Sequence, residues 1–218
     1  MSDLLTQLNG GSVPTLELLY MLTLVALLPS IVIMMTSFTR TIIIISFTRN
    51  ALGVQQSPPN MVLVGIALFL TLYIMSPVVD RINEDAYQPY LRGEYTQEEA
   101  IEQMTVPLKE FMLRNTEIST LENFINMSGT EIEEDPMDYS LTVIVPSFLT
   151  SELKRGFMAG FFIYLPFLLI DVMVATTLMS MGMVMLPPAM VSLPFKLLLF
   201  VTVDGWELVF SGIVASFQ

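Results

Sequence analysis

The chain has 218 residues, 53% hydrophobic and 14% charged, with a mean hydropathy of +0.66 and a net charge of −12. So many apolar residues against so few charges point to burial in or beside a membrane rather than to a water-soluble domain. With no cysteine and no histidine, disulfides, thiolate metal sites, the commonest zinc ligand and the commonest general base are excluded, and the acidic balance excludes nucleic acid as a partner.

The opening "MSDLLTQLNGGSVP" has neither a basic start nor a short apolar stretch before a cleavage site, so no signal peptide is visible. "VPTLELLYMLTLVALLPSIVIMM" (13–35) is long enough to cross a bilayer core of roughly 30 Å, with Glu17 near its start and Pro29 placed to kink it. In "TSFTRTIIIISFTRNALGVQQSPPN" (36–60), Arg40 and Arg49 flank a core too short to span. It reads as a helix lying at the interface or packed in a bundle. Gly53 ends that helix, and Pro58-Pro59 start the next. "MVLVGIALFLTLYIMSPVV" (61–79) is uncharged throughout and is the least ambiguous span.

Residues 80–140 carry fifteen acids against four bases. Within them, Ile101, Met104, Leu108, Phe111 and Met112 recur at helical spacing, and Thr96 and Glu99 stand as a capping box. A second short helix and an acidic loop follow. The last third predicts two long helices meeting at Pro187-Pro188. The expected architecture is therefore all-α: hydrophobic, membrane-associated helical hairpins with a small acidic helical insertion. Its stretches are 1–79, 80–140 and a C-terminal hairpin at 141–218. Arg40 and Arg49 favour a cytoplasmic first loop, which puts the acidic stretch outside. Lys154 and Arg155, before the third span, dissent.

No catalytic constellation is present. Ser151, Glu152 and Lys154 read as residues capping a helix start, and most acids in 80–140 as a solvated face. Two charges stand in apolar surroundings: Asp171 in "FLLIDVMVA" and Lys196 in "LPFKLLLF". Each needs a partner, in an ion pair or in an ion or proton relay. Counted from a turn near residue 187, their depths differ by roughly 10 Å at about 1.5 Å per residue. That stagger favours a pair between neighbouring subunits over one within the hairpin. Asp204 and Glu207 flank Trp206 at an interface or a wet surface.

Seventeen methionines are many for this length. Most read as gap-fillers of a helical core. Those at 179–185 alternate by two, so one helix face cannot bury them all. Gly182 and the double proline predict a loop there, which could close as a pliant ring.

"MMTSFTRTIIIISFTRNALG", "PPNMVLVGIALFLTLYIMSPV", "VPSFLTSELKRGF", "FLLIDVMVA" and "MVMLPPAMVSLPFKLLLFVTVDGW" resemble the FliP family of flagellar biosynthetic proteins over nearly the whole chain. The resemblance implies a subunit of the type III export gate, with no cofactor and no enzymatic activity. About five copies would wind into a helical cone with FliQ-like and FliR-like partners, beside FlhA-like and FlhB-like export proteins. The site implied is the bacterial inner membrane at the flagellar basal body. The family's methionine loop falls on Met183, Val184 and Met185, a channel gate for unfolded polypeptides. Its intersubunit polar pair falls on Asp171 and Lys196. Where relatives can carry three methionines, this loop has Val184, which is stiffer. A small ion or proton transporter using Asp171 and Lys196 is the alternative.

Overall fold

The computed structural model describes residues 15–54, 57–129, 133–183 and 185–218, and every regular element among them is a helix. The stretch 1–14, read above for targeting, lies outside the described residues, as does Val184. Helix α1 (Thr15–Met34) runs through position 29 without a break, and α2 (Phe38–Leu52) follows after three residues. α2 stops where Gly53 takes φ +76°, a left-handed cap that glycine adopts without strain. α3 (Asn60–Ile82) starts just past Pro58-Pro59 and passes through a π-helical turn, Asn83–Tyr87, into α4 (Gln88–Leu91). The widened turn makes room for Pro89, which has no N–H and whose ring would strike the carbonyl four residues back.

The acidic stretch forms α5 (Gln97–Asn115) and α6 (Ile118–Ser128). α5 begins with the expected capping box. The Thr96 N–H donates to Glu99 Oε2 at 2.8 Å, and the Glu99 N–H donates to the Thr96 hydroxyl at 3.3 Å. The Thr96 backbone bond, then its hydroxyl, holds the Glu99 carboxyl below the usual carboxylate range. That contribution is present above the range and lost as pH falls through it.

α7 (Leu141–Ser180) is forty residues long, about 60 Å. The arm returning from the hairpin was expected to be one long helix. It is two, α8 (Pro188–Thr202) and α9 (Gly205–Ala215), bent by 61°. Asp204 sits in the left-handed region at φ 50°, and a Cβ on Gly205 would strike the Phe200 ring. The sharp turn and the missing side chain together let Trp206 come edge-on to Phe200, at 5.2 Å between ring centroids.

α2 is packed in the bundle, lying across α7. Gly156 and Gly160 of α7 face Ile43 and Phe47 of α2, a four-residue spacing of small residues that lets helices approach closely. A Cβ at Gly160 would come within 2.5 Å of Phe47 Cγ. Gly160→Ala is expected to cost about 1–3 kcal/mol by overpacking. Gly65→Ala, where nothing lies within 4 Å, should be neutral or slightly stabilising. Thermal unfolding of the detergent-purified chain compares the two.

One apolar cluster draws on all three stretches, from Met35 and Ile45 through Met112 to Ile144, Phe148, Ile213 and Phe217. Much else stays uncovered. The chain exposes 14562 Å², where a compact protein of its mass exposes roughly 10,000 Å². Among the described residues, 60–91 and 141–180 are helices long and apolar enough to cross a membrane, and the bent α8–α9 pair makes a third candidate. Only 22% and 11% of the most apolar windows of the first two are buried. Those faces need lipid or protein against them.

Candidate functional site

The α7–α8 hairpin carries the sequence-expected site residues at two levels. At its tip, α7 ends in a Schellman motif: the Gly182 N–H donates to the Met179 carbonyl and the Met183 N–H to the Leu178 carbonyl, both at 3.0 Å. Gly182 supplies the positive φ, +77°, that this cap demands. The helix stops at Ser180, and α8 resumes at Pro188, whose ring suits a first helical turn. The methionine-rich run is thus half last turn and half loop. Its side chains are not packed. Met183 is 42% exposed and Met185 98% exposed.

Below the tip lies a polar clamp. Lys196 Nζ donates to Asp171 Oδ2 at 2.6 Å, and the Ser192 hydroxyl donates to Asp171 Oδ1 at 2.6 Å. The same ammonium donates to the Ala51 carbonyl at 3.1 Å, at the C-terminal end of α2. A cation there also meets the negative end of the helix dipole. Lys196 is buried and Asp171 partly so.

Within the single chain, the two charges already meet across the hairpin. α7 ends at Ser180 and α8 begins at Pro188, so depth along the hairpin is counted from those two residues rather than from residue 187. Asp171 then lies nine residues down and Lys196 eight, a mismatch of about 1.5 Å.

A second buried charge cluster went unrecognised in the sequence. Glu152 is fully buried in the fourth turn of α7 rather than capping its start. It accepts from Arg40 of α2 in a bidentate pair along the Nε–Nη2 edge of the guanidinium, the Nε bond being 3.0 Å. Arg40 Nη1 donates to the carbonyl and hydroxyl of Ser216 at 2.9 and 3.0 Å, and Nη2 also to Asn115 Oδ1 at 3.3 Å. All five N–H groups of the guanidinium are thereby used. Its plane lies 3.8 Å over the Phe217 ring. One side chain so ties α2, α5, α7 and the end of α9.

Neighbouring residues add two more ties. The Ser151 hydroxyl accepts from the Glu117 N–H at 3.0 Å, and Lys154 pairs with the Glu117 carboxylate at 2.5 Å. Lys154 is therefore held beside the acidic stretch, whatever loop-charge statistics prefer.

Residues 21–213 match the FliP family. The chain belongs to it. A flagellar biosynthetic protein FliP of Bacillus subtilis is 48% identical over 203 residues, covering 93% of this chain and 92% of that one. Its counterpart in Aquifex aeolicus is 44% identical over 212 residues, covering 96% and 89%. One from Pectobacterium carotovorum is 47% identical over 211, covering 96% and 82%.

In this FliP-family chain, the residues the sequence reading passed over are Ser192, the Ala51 carbonyl, Arg40, Asn115 and Glu152. A signal for Glu152 was present. It falls in helical register with Gly156 and Gly160 and beside the row of Ser147 and Ser151, the small residues that mark the buried stripe of α7. An acid in that stripe has to be paired. Nothing comparable announces a backbone carbonyl such as that of Ala51.

Proposed function

We propose that this FliP-family chain is the pore-forming subunit of a flagellar type III export gate. Several copies assemble with FliQ-like and FliR-like partners, beside FlhA-like and FlhB-like proteins, around a channel for unfolded polypeptides. Met183, Val184 and Met185 from each copy close it at rest. The assembly sits at the flagellar basal body in the bacterial inner membrane, with the acidic stretch 80–140 on the extracytoplasmic side. The relatives' shared name, flagellar biosynthetic protein, supports the coarser part of this reading.

The observation that carries the finer part is a soft tip on a stiff base. Thioethers at Met183 and Met185 stand free of the chain's own core, while Lys196, Asp171 and Ser192 fasten the two arms a few turns below. Unbranched, polarisable side chains fill irregular gaps and yield to varied contacts. Around a symmetry axis they form a closure that passes a chain of any sequence and reseals behind it. Tips held at a fixed height are what such a ring requires. Lys196 is held by two acceptors, the Asp171 carboxylate and the Ala51 carbonyl, and is shut from solvent, which favours a structural pair over a proton relay.

Replacing Met183 and Met185 together by alanine is expected to leave assembly intact and open an ion leak through the resting channel. Conductance of the reconstituted complex, or potassium efflux from cells expressing it, reads this out. Unchanged permeability in an intact complex would refute the gate reading.

A further inference from the structure

Of the nine Lys and Arg side chains, Arg155 is the one that makes no hydrogen bond or ion pair among the described residues; every other is engaged by a carboxylate or a carbonyl. It is half-buried, on the rim of an apolar groove of about 590 Å³ between α2, α7 and α9, with Phe162 and Leu208 among its walls. The described acids of the C-terminal stretch 141–218 show the mirror image. Glu152 and Asp171 are paired, whereas the carboxylates of Asp204 and Glu207 make no hydrogen bond or ion pair among the described residues.

Asp204 and Glu207 do not perform the task their positions suggest. An acid before a helix, followed by one three residues on, ordinarily caps its first turn. Here Asp204 is in the left-handed conformation, and no side chain caps α9. Both carboxylates stand exposed at the rim of a second groove of about 590 Å³, which is walled by Leu197, Phe200 and Trp206 across the α8–α9 bend. The two grooves draw on different residues at the start of α9, Leu208 and Val209 lining one and Asp204 to Glu207 the other.

We propose that Arg155 of one copy docks between Asp204 and Glu207 of the next copy of this chain. Charges bordered by apolar walls are costly to cover unless matched. Among the described residues, Arg155, whose charge is felt by buried Glu152 but which contacts no acceptor, complements the carboxylates of Asp204 and Glu207, and a guanidinium fork suits two acceptors. Because the two patches differ, the contact is head-to-tail, the kind that closes into a ring or climbs as a helix. The inference rests on the reading above that the chain assembles with copies of itself.

The chain has no native cysteine, so a link between two of its copies can form only through introduced ones. Chains carrying Arg155→Cys and chains carrying Glu207→Cys are co-expressed with the partner subunits and treated with a short bis-maleimide, since the span of an Arg–Glu pair exceeds a disulfide's. The mixture is expected to give a two-chain product that neither variant gives alone. Separately, Arg155→Glu and Glu207→Arg should each lower the yield of assembled complex at least about ten-fold, and the two together should restore it. The proposal is overturned if the mixture yields no two-chain product. It is equally overturned if the Glu207→Cys chain links only to a different subunit, or if Arg155→Glu strips anionic lipid from an intact oligomer. An intact oligomer without the cross-link sinks this contact and leaves the gate reading standing. A cross-linked channel that stays sealed without its loop methionines does the reverse.

Discussion

Glu152→Ala is expected to abolish the stable fold. The substitution leaves the Arg40 guanidinium, 2% exposed, without the carboxylate that neutralises it. Removing one partner of a buried pair costs about 3–5 kcal/mol, a large part of what holds a domain of this size together. The loss should spread, because the same side chain holds Asn115 at the end of α5 and Ser216 past the end of α9. Size-exclusion profiles and thermal melts of the purified chain should show aggregation or a melting point too low to measure. Arg40→Met with Glu152→Met replaces both charges by apolar volume and should recover much of the loss. If the single variant melts like the parent, the cluster is not what ties the layers together.

Lys196→Met should release the hairpin base, at a cost of about 1–3 kcal/mol. The carboxylate of Asp171 keeps Ser192 as a donor and some access to solvent, which makes this loss smaller than the first. The charge swap is more informative. An isolated ion pair tolerates reversal, so Asp171→Lys with Lys196→Asp would restore it. Here the ammonium also binds the Ala51 carbonyl at the negative end of α2, and an aspartate placed there would be repelled. The swapped chain is expected to remain as impaired as Lys196→Met, in stability and in formation of the complex. Full rescue would show that the contact with α2 is incidental.

The sequence alone determined that the chain is helical and apolar, and where most helices begin and end. Gly53, Pro58-Pro59, the Thr96–Glu99 box, Gly182 and Pro188 act within a few residues of themselves, through sterics and hydrogen bonds that any chain carrying them meets. Membership of the FliP family was likewise readable from long position-specific stretches. Tertiary structure decided what depends on distant partners. Whether α2 lies in an interface or in the core was set by Gly156 and Gly160 meeting Ile43 and Phe47. The bend after Thr202 came from Phe200 filling the space a side chain at 205 would need. The pairing of Asp171 with Lys196 within the chain turned on where α7 stops and α8 starts, at Ser180 and Pro188, which a count from the double proline does not reveal. Glu152 found Arg40 across 112 positions, and a charge so far away leaves no local mark on the residues around it.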